Sequence, residues 1–363
     1  MNKTPRVLHI IDHMGLGGAQ RVLEGLISHS KNEGWFFYSL KKCPQTHNNL
    51  FYRNSYWKYD FFSLFELKNL IQNNDIRILH CYLKKAFIFG YLLKILCFPD
   101  IILIFHEHGK IEGYLNIWFH NFVWKRVDLF IAVSEATRGR MMKNTNIPEN
   151  RIKILFNYVN LDRFNPINIK KFDRVSEKKR FEIENADFVV GFTGRIVKGK
   201  GWRELLLAFQ SLKSKNIQLL IAGTGPEKHH LLDSVRKMNL KPQVKYIGYV
   251  DDILQFYCCI DAFIMPSHWE GLPMAALEAQ ACGIPVLASN VEGLNEIIKD
   301  METGILFEKG SFQDIVENIE LIFNDEKLKD RIIAKGIQNA EKFSIIEYLK
   351  NLRNLYYELC KNC

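Results

Sequence analysis

Short runs of apolar and β-branched residues alternate along this chain with longer stretches in which apolar residues recur every three or four positions. In the first half the short runs fall at 7–11, 35–40, 76–80, 101–105, 129–133 and 152–156, with helical patterns near 19–29, 62–72, 83–96, 116–125 and 135–143. Such alternation predicts a parallel, doubly wound sheet. The rhythm restarts at Phe188, with strands expected at 188–193, 217–222, 244–247, 262–265 and 285–288 and helices near 201–213, 227–238, 251–257 and 273–282. Between the two halves, 165–187 is rich in charge, contains Pro166 and breaks the rhythm, which places a domain boundary there. The expectation is an α/β protein of two tandem domains facing each other across a cleft, 1–170 and 171–344. Helical patterns at 311–323, 326–341 and 345–359 close the chain without further clear strands, and the last, about 345–363, is expected to pack back on the first domain.

At 363 residues, 47% hydrophobic and 25% charged, the chain suits two soluble globular domains and excludes extended disorder or a multi-span membrane protein. The run 86–105 is interrupted by Lys94, Pro99 and Asp100, so it reads as helix, turn and strand. A formal charge of +9 favours anionic partners. No zinc pattern, RNP-like motif or helix-turn-helix signal accompanies that charge, so no nucleic-acid partner is expected. Cysteines at 43, 81, 97, 258, 259, 282, 360 and 363 are scattered and fit a reducing, cytoplasmic setting. Cys360 and Cys363 have C-x-x-C spacing, but no second pair completes a zinc site.

Three motifs carry candidate chemistry. The first, DHMGLGGAQRV, sets Gly15, Gly17 and Gly18 between the first strand and first helix, where backbone amides can face a phosphate. A dinucleotide fingerprint would need glycine where Gln20 stands and an acid where Leu40, Lys41 and Lys42 end the second strand, so NAD is not expected. The alternative is a tight turn with no ligand. The second, GFTGRIVKGKGWREL, places Arg195 and Lys200 on a glycine-punctuated loop where two cations could meet one diphosphate. Gly201 occupies the place of the magnesium-binding hydroxyl of a P-loop, which excludes a plain ATPase and leaves a solvated basic turn as the alternative. The third, MPSHWEGLPMAALEAQACGIPVLAS, puts Glu270 just before a helix and Glu278 inside it, with amides at Gly271, Leu272, Met274 and Ala275 at the positive helix end. Two glutamates at that spacing also occur by chance.

Taken in order, these motifs, with IAGTGPE at 221–227 and YIGYVDD at 246–252, resemble the retaining glycosyltransferases of family 4, glycosyl transferases group 1, which have the GT-B fold of two Rossmann-like domains. The resemblance spans nearly the whole chain. It implies that Arg195 and Lys200 bind the donor diphosphate, Glu278 the ribose, and Glu270 the donor sugar. It implies that Gly17 and Gly18 approach the diphosphate and that 249–253 flanks the base. A histidine before glycine usually faces the donor sugar, which selects His108 over His106; His80 and Ser134 sit at other strand ends. No metal or other cofactor is implied. The expected reaction is front-face transfer, through an oxocarbenium-like transition state, from a UDP- or GDP-sugar to a saccharide or lipid-linked oligosaccharide in surface polysaccharide (O-antigen, capsule or exopolysaccharide) biosynthesis. A sugar-nucleotide epimerase on the same scaffold is the alternative.

The first domain mixes aromatic and basic residues at 51–65, 82–87 and 117–126. These fit either an anionic membrane surface on the cytoplasmic side or an aromatic-rich core.

Overall fold

The computed structural model describes all residues except 1–4, 16, 31–32, 44–48, 54–61, 109–113, 184–185, 213–215 and 362–363, and the side chains of 114–116. Two units emerge, Met1–Tyr158 with Ile345–Cys363, and Val159–Ser344.

The first unit contains, in chain order, β1 (Val7–Ile11), α1 (Gly18–His29), β2 (Trp35–Ser39), β3 (Leu50–Tyr52), α2 (Phe62–Asn73), β4 (Ile78–Tyr82), α3 (Lys84–Leu96), β5 (Ile102–Glu107), α4 (Tyr114–Val123), β6 (Leu129–Ala132), α5 (Glu135–Asn144) and β7 (Ile152–Ile154). All pairings are parallel, in the order β3-β2-β1-β4-β5-β6-β7. Every residue of β1 and β4 is buried, as a parallel sheet covered on both faces requires. Successive side chains go to opposite cores: Val7 and Ile11 of β1 join one cluster, Leu8 and Ile10 the other.

The second unit continues with α6 (Pro166–Ile169), α7 (Arg174–Arg180), β8 (Phe188–Thr193), α8 (Trp202–Ser211), β9 (Ile217–Ala222), α9 (Lys228–Lys237), β10 (Val244–Gly248), α10 (Ile253–Cys259), β11 (Ala262–Met265), α11 (Met274–Ala281), β12 (Val286–Ser289), β13 (Ile305–Phe307), α12 (Phe312–Asn324) and α13 (Glu326–Glu341). Its sheet is again parallel, ordered β10-β9-β8-β11-β12-β13. The final helix, α14 (Ile345–Lys361), belongs to the first unit. It buries Ile345, Tyr348, Leu349, Leu352 and Tyr356, one helical face, in the core that also holds Val7 and Ile11. Full burial of an aliphatic side chain of this size contributes about 1.5–3 kcal/mol, so this helix is part of the first unit's core.

Four features differ from the sequence reading. Strands β3 and β13 each have three residues, too short for a period to show. Strand β4 runs two residues later than 76–80, because its polar His80-Cys81-Tyr82 end is buried between β1 and β5. The charged 165–187 stretch contains two short helices: Asn165 and Asp173 cap α6 and α7 by accepting from the N–H groups of Asn168 and Val175. The first break therefore falls at Tyr158/Val159 rather than 170/171, and Phe164, Phe181 and Ile183 lie in the second unit's core.

Candidate functional site

In an open parallel sheet, ligands bind beyond the carboxyl ends of the strands, where the strand order reverses. In the second unit that point lies between β8 and β11. The loop after β8 carries Arg195 and Lys200, and the loop after β11 carries Glu270, so sheet topology brings together two motifs distant in sequence. Lys200 Nζ lies 2.5 Å from Glu270 Oε1, and the Ser267 hydroxyl donates to the same oxygen at 2.6 Å. Glu270 is largely buried, and its Oε2 has no partner among the described residues. Arg195 is exposed and likewise unpartnered among them.

Glycines make this close arrangement possible. Gly201, at φ +69°, ends the Lys200 turn against the Pro266 carbonyl, where any Cβ would collide with backbone. His268 N–H donates to the Gly199 carbonyl at 2.9 Å, tying the two loops together. The His268 ring lies 2.9 Å from Glu204 at the start of α8. The 221–227 turn contributes as well: Ile196 N–H donates to Thr224 and Glu227 N–H to Ile196.

Glu278 sits inside α11 and is buried. The Tyr257 hydroxyl reaches both Glu278 Oε2, at 3.1 Å, and the Ala275 carbonyl, at 3.2 Å. The residue before α11 is Pro273, whose carbonyl accepts from Ala276 and Leu277, so the amides of Met274 and Ala275 open the helix with no intrahelical acceptor.

The first unit reverses strand order between β1 and β4. Gly17, in extended backbone, precedes α1 with no side-chain cap, and the Cβ position of Gly18 faces open space. Asp12 closes the other side of this loop, accepting from the amides of Ala86 (2.7 Å) and Lys85 (3.3 Å), while burial pushes its carboxyl upward. His108 follows the end of β5; its neighbour Gly109 lies outside the described residues. Both ring nitrogens of His108 are buried without a partner among the described residues, and burial pushes the imidazole down to about 3. His106, the other candidate, is fully buried and lies 3.2 Å from His80 across the sheet. Ser134 caps α5, accepting from the Thr137 N–H.

Two family descriptions match this chain in succession, Glycosyltransferase Family 4 over 16–163 and Glycosyl transferases group 1 over 173–339. The chain belongs to glycosyltransferase family 4. A relative, the capsular polysaccharide biosynthesis glycosyltransferase CapM of Staphylococcus aureus, is 34% identical over 64% of this chain and 62% of its own. The chain thus spans about three fifths of that relative's length. The UDP-Gal:alpha-D-GlcNAc-diphosphoundecaprenol alpha-1,3-galactosyltransferase of Escherichia coli is 26% identical over 84% of this chain and 81% of its own. Among solved structures, Anabaena Alr3699/HepE, in complex with UDP and glucose, superposes with a TM-score of 0.83 at 18% identity, covering 98% of this chain and 100% of its own. That likeness shows the fold, the two Rossmann-like domains of GT-B.

Within this family 4 chain the aromatic-basic stretches separate. Tyr82 and Phe87 are core residues, so 82–87 is not an aromatic surface. Trp118 and Phe122 on α4, by contrast, are 55% and 61% exposed and stack at 5.5 Å. Phe62 and Phe65 are exposed on α2, while 54–61 lies outside the described residues. Among the described residues no helix is long and apolar enough to cross a membrane.

The sequence reading missed Ser267, Tyr257 and Tyr356. Ser267 was legible as a hydroxyl three residues before Glu270, whereas the two tyrosines are brought in by tertiary packing alone.

Proposed function

We propose that this protein is a retaining glycosyltransferase. It moves a sugar from a UDP- or GDP-sugar to a lipid-linked saccharide acceptor in surface polysaccharide biosynthesis, at the cytoplasmic face of the membrane. The observation that carries this reading is the Lys200–Glu270 pair at the second unit's switch point, with Arg195 unpartnered on the same loop. The names of the S. aureus and E. coli relatives support the polysaccharide setting and a lipid-linked acceptor. Nothing in the comparisons favours an epimerase.

In this reading Arg195 and Lys200 neutralise the diphosphate, assisted by the amides at Gly271, Leu272, Met274 and Ala275. Glu270 Oε2 accepts from a donor-sugar hydroxyl, and Glu278 holds the ribose. In the first domain, Gly17 and Gly18 serve the diphosphate and His108 the donor sugar. The anomeric carbon–oxygen bond breaks with its electron pair leaving on the nucleoside diphosphate. The acceptor oxygen forms the new bond on the same face, and its proton passes to the departing phosphate oxygen. Charge grows on the leaving group as the bond breaks, so cations fixed beforehand stabilise the transition state more than the ground state. No metal is called for.

Thermal melts with UDP, GDP, ADP, dTDP and NAD, each alone, test the donor site. Saturation at about a hundred times the dissociation constant adds about 2.7 kcal/mol, enough to raise the midpoint by degrees. One nucleoside diphosphate should stabilise the protein, and Arg195→Ala should abolish the shift. Stabilisation by NAD alone, or turnover lost to EDTA, contradicts the reading.

A further inference from the structure

Three adjacent strands of the first unit each place a histidine on the face covered by α14: His9 on β1, His80 on β4 and His106 on β5. His9 is the register partner of His80, and His106 that of Tyr82. Their rings form a continuous stack, with centroids 5.3 Å apart from His9 to His80 and again from His80 to His106. From His106 to His108 the separation is 4.2 Å, and Tyr82 lies 5.7 Å from His108.

Hydrogen bonds run the same way. Tyr356 Oη, from α14, lies 2.6 Å from His80 Nδ1, and His80 Nε2 lies 3.2 Å from His106 Nδ1. Tyr82 Oη lies nearer His9 Nδ1, at 3.1 Å, than His80 Nδ1, at 3.4 Å. A phenol is the better donor and an imidazole nitrogen the better acceptor, so Tyr356 donates to the single lone pair of His80 Nδ1. The proton of neutral His80 is then on Nε2 and is donated to His106 Nδ1, which leaves the His106 proton on its own Nε2. Burial drives His80 and His106 well below the usual imidazole range, so both are neutral.

The sequence of bonds ends without an acceptor. Among the described residues His106 Nε2 and both nitrogens of His108 are buried and unpartnered, although buried polar groups are nearly always paired. His9 Nε2, at the other end of the stack, is likewise unpartnered among the described residues, but only the three nitrogens beyond the last bond adjoin His108 and can meet a ligand hydroxyl or water there.

We propose that Tyr356, His80 and His106 are positioning residues for His108: the tyrosine on the returning helix fixes the His80 tautomer, His80 fixes that of His106, and the His106 ring, with Tyr82, holds the His108 imidazole at the end of β5. This rests on the reading of His108 as facing the donor sugar.

The test uses the full chain labelled with 15N-histidine, whose imidazole shifts report which nitrogen carries the proton. At pH 7 His80 and His106 should both be protonated on Nε2 only. In Tyr356→Phe, which keeps the ring but loses the donor, His80 should exchange between tautomers. Its kcat should fall about tenfold while the donor KM stays within about twofold and the nucleoside diphosphate melt shift is retained. A wild-type His106 protonated on Nδ1 overturns the relay. Unchanged kcat in Tyr356→Phe, beside a large loss in His108→Ala, overturns the positioning role. If His108→Ala itself turns over normally, the role assigned to His108 fails and the positioning role with it, while the donor site of the second unit stands on its melt.

Discussion

Lys200 and Glu270, seventy positions apart in the chain, share a 2.5 Å ion pair. Ser267 donates to the oxygen that Lys200 contacts, so both hold one side of the carboxylate and leave Oε2 without a partner among the described residues. In the proposed reading the cation has two tasks, to orient Glu270 and to meet the diphosphate. Lys200→Ala should lower kcat/KM at least about a hundredfold, the scale for losing one preorganised charge donor. Ser267→Ala, which removes only the neutral donor, should lose about tenfold. Initial rates with the preferred donor decide; near-normal turnover of Lys200→Ala would falsify the assignment.

The Tyr257 hydroxyl bridges Glu278 and the Ala275 carbonyl. Tyr257→Phe keeps the packing but removes this bond to the carboxylate, at a cost of about 1 kcal/mol in orientation. Calorimetric titration should show the ribonucleoside diphosphate binding about fivefold more weakly, with its 2′-deoxy analogue unaffected. Equal losses for both would remove Glu278 from the ribose.

Gly201→Ala is expected to damage stability and function together. Its Cβ would meet the Pro266 carbonyl, and φ +69° is strained for alanine. Urea unfolding should show a loss of about 2 kcal/mol or more. A loss below about 0.5 kcal/mol would mean that this loop relaxes freely.

Much of this architecture was readable beforehand, for identifiable reasons. β8, β9 and β11 were bounded correctly because apolar runs of four to six residues end at turn-forming positions such as Gly194 and Gly223. Glu270, Lys200 and Arg195 are legible as candidates because glycines and charge concentrate locally at loops. The Lys200–Glu270 contact itself was not, since it depends on β8 and β11 being neighbours, a pairing that no local pattern encodes. The histidine stack is hidden for the same reason: His80, His106 and His108 stand out one by one at strand ends, but only register aligns them with one another and with His9. The helices at 165–187 were obscured by charge, although Asn165-Pro166 and Asp173 are ordinary start signals.

The buried histidines give stability a defined pH dependence. Burial lowers His9, His80, His106 and His108 in the folded state, His9 and His108 to about 3. Above about pH 6.5 the folded and unfolded chains are both neutral at these positions and nothing is lost. Below it the unfolded chain takes up protons that the folded one refuses, so stability falls by about 1.4 kcal/mol per pH unit per histidine down to the folded values. Denaturation at pH 7, 6 and 5 should show this decline. His9→Phe should flatten it by one proton, and a slope unchanged by that substitution would contradict the burial.

The α4 surface gives the proposed membrane contact a direct test. Residues 114–127 contain no acidic residue, and Lys125 and Arg126 follow the exposed Trp118–Phe122 stack. Each base near an anionic bilayer contributes about 1 kcal/mol, and the rings enter the headgroup layer. The protein should co-sediment with phosphatidylglycerol vesicles at low salt and not with phosphatidylcholine. The double change Trp118→Ser, Phe122→Ser should release it while leaving the nucleotide melt intact. Retention of the double variant on vesicles would move the contact elsewhere.

Helix α14 also bears on biosynthesis. The second unit is one continuous stretch, whereas the first needs Leu349, Leu352 and Tyr356 to seal its sheet. A ribosome releases the first unit's strands before the second unit and that helix after it, so the earlier-started domain is the later one to mature. Until α14 emerges, Val7, Ile11 and the histidine-bearing face lack their cover, and they stay open while the whole of the second unit is being made.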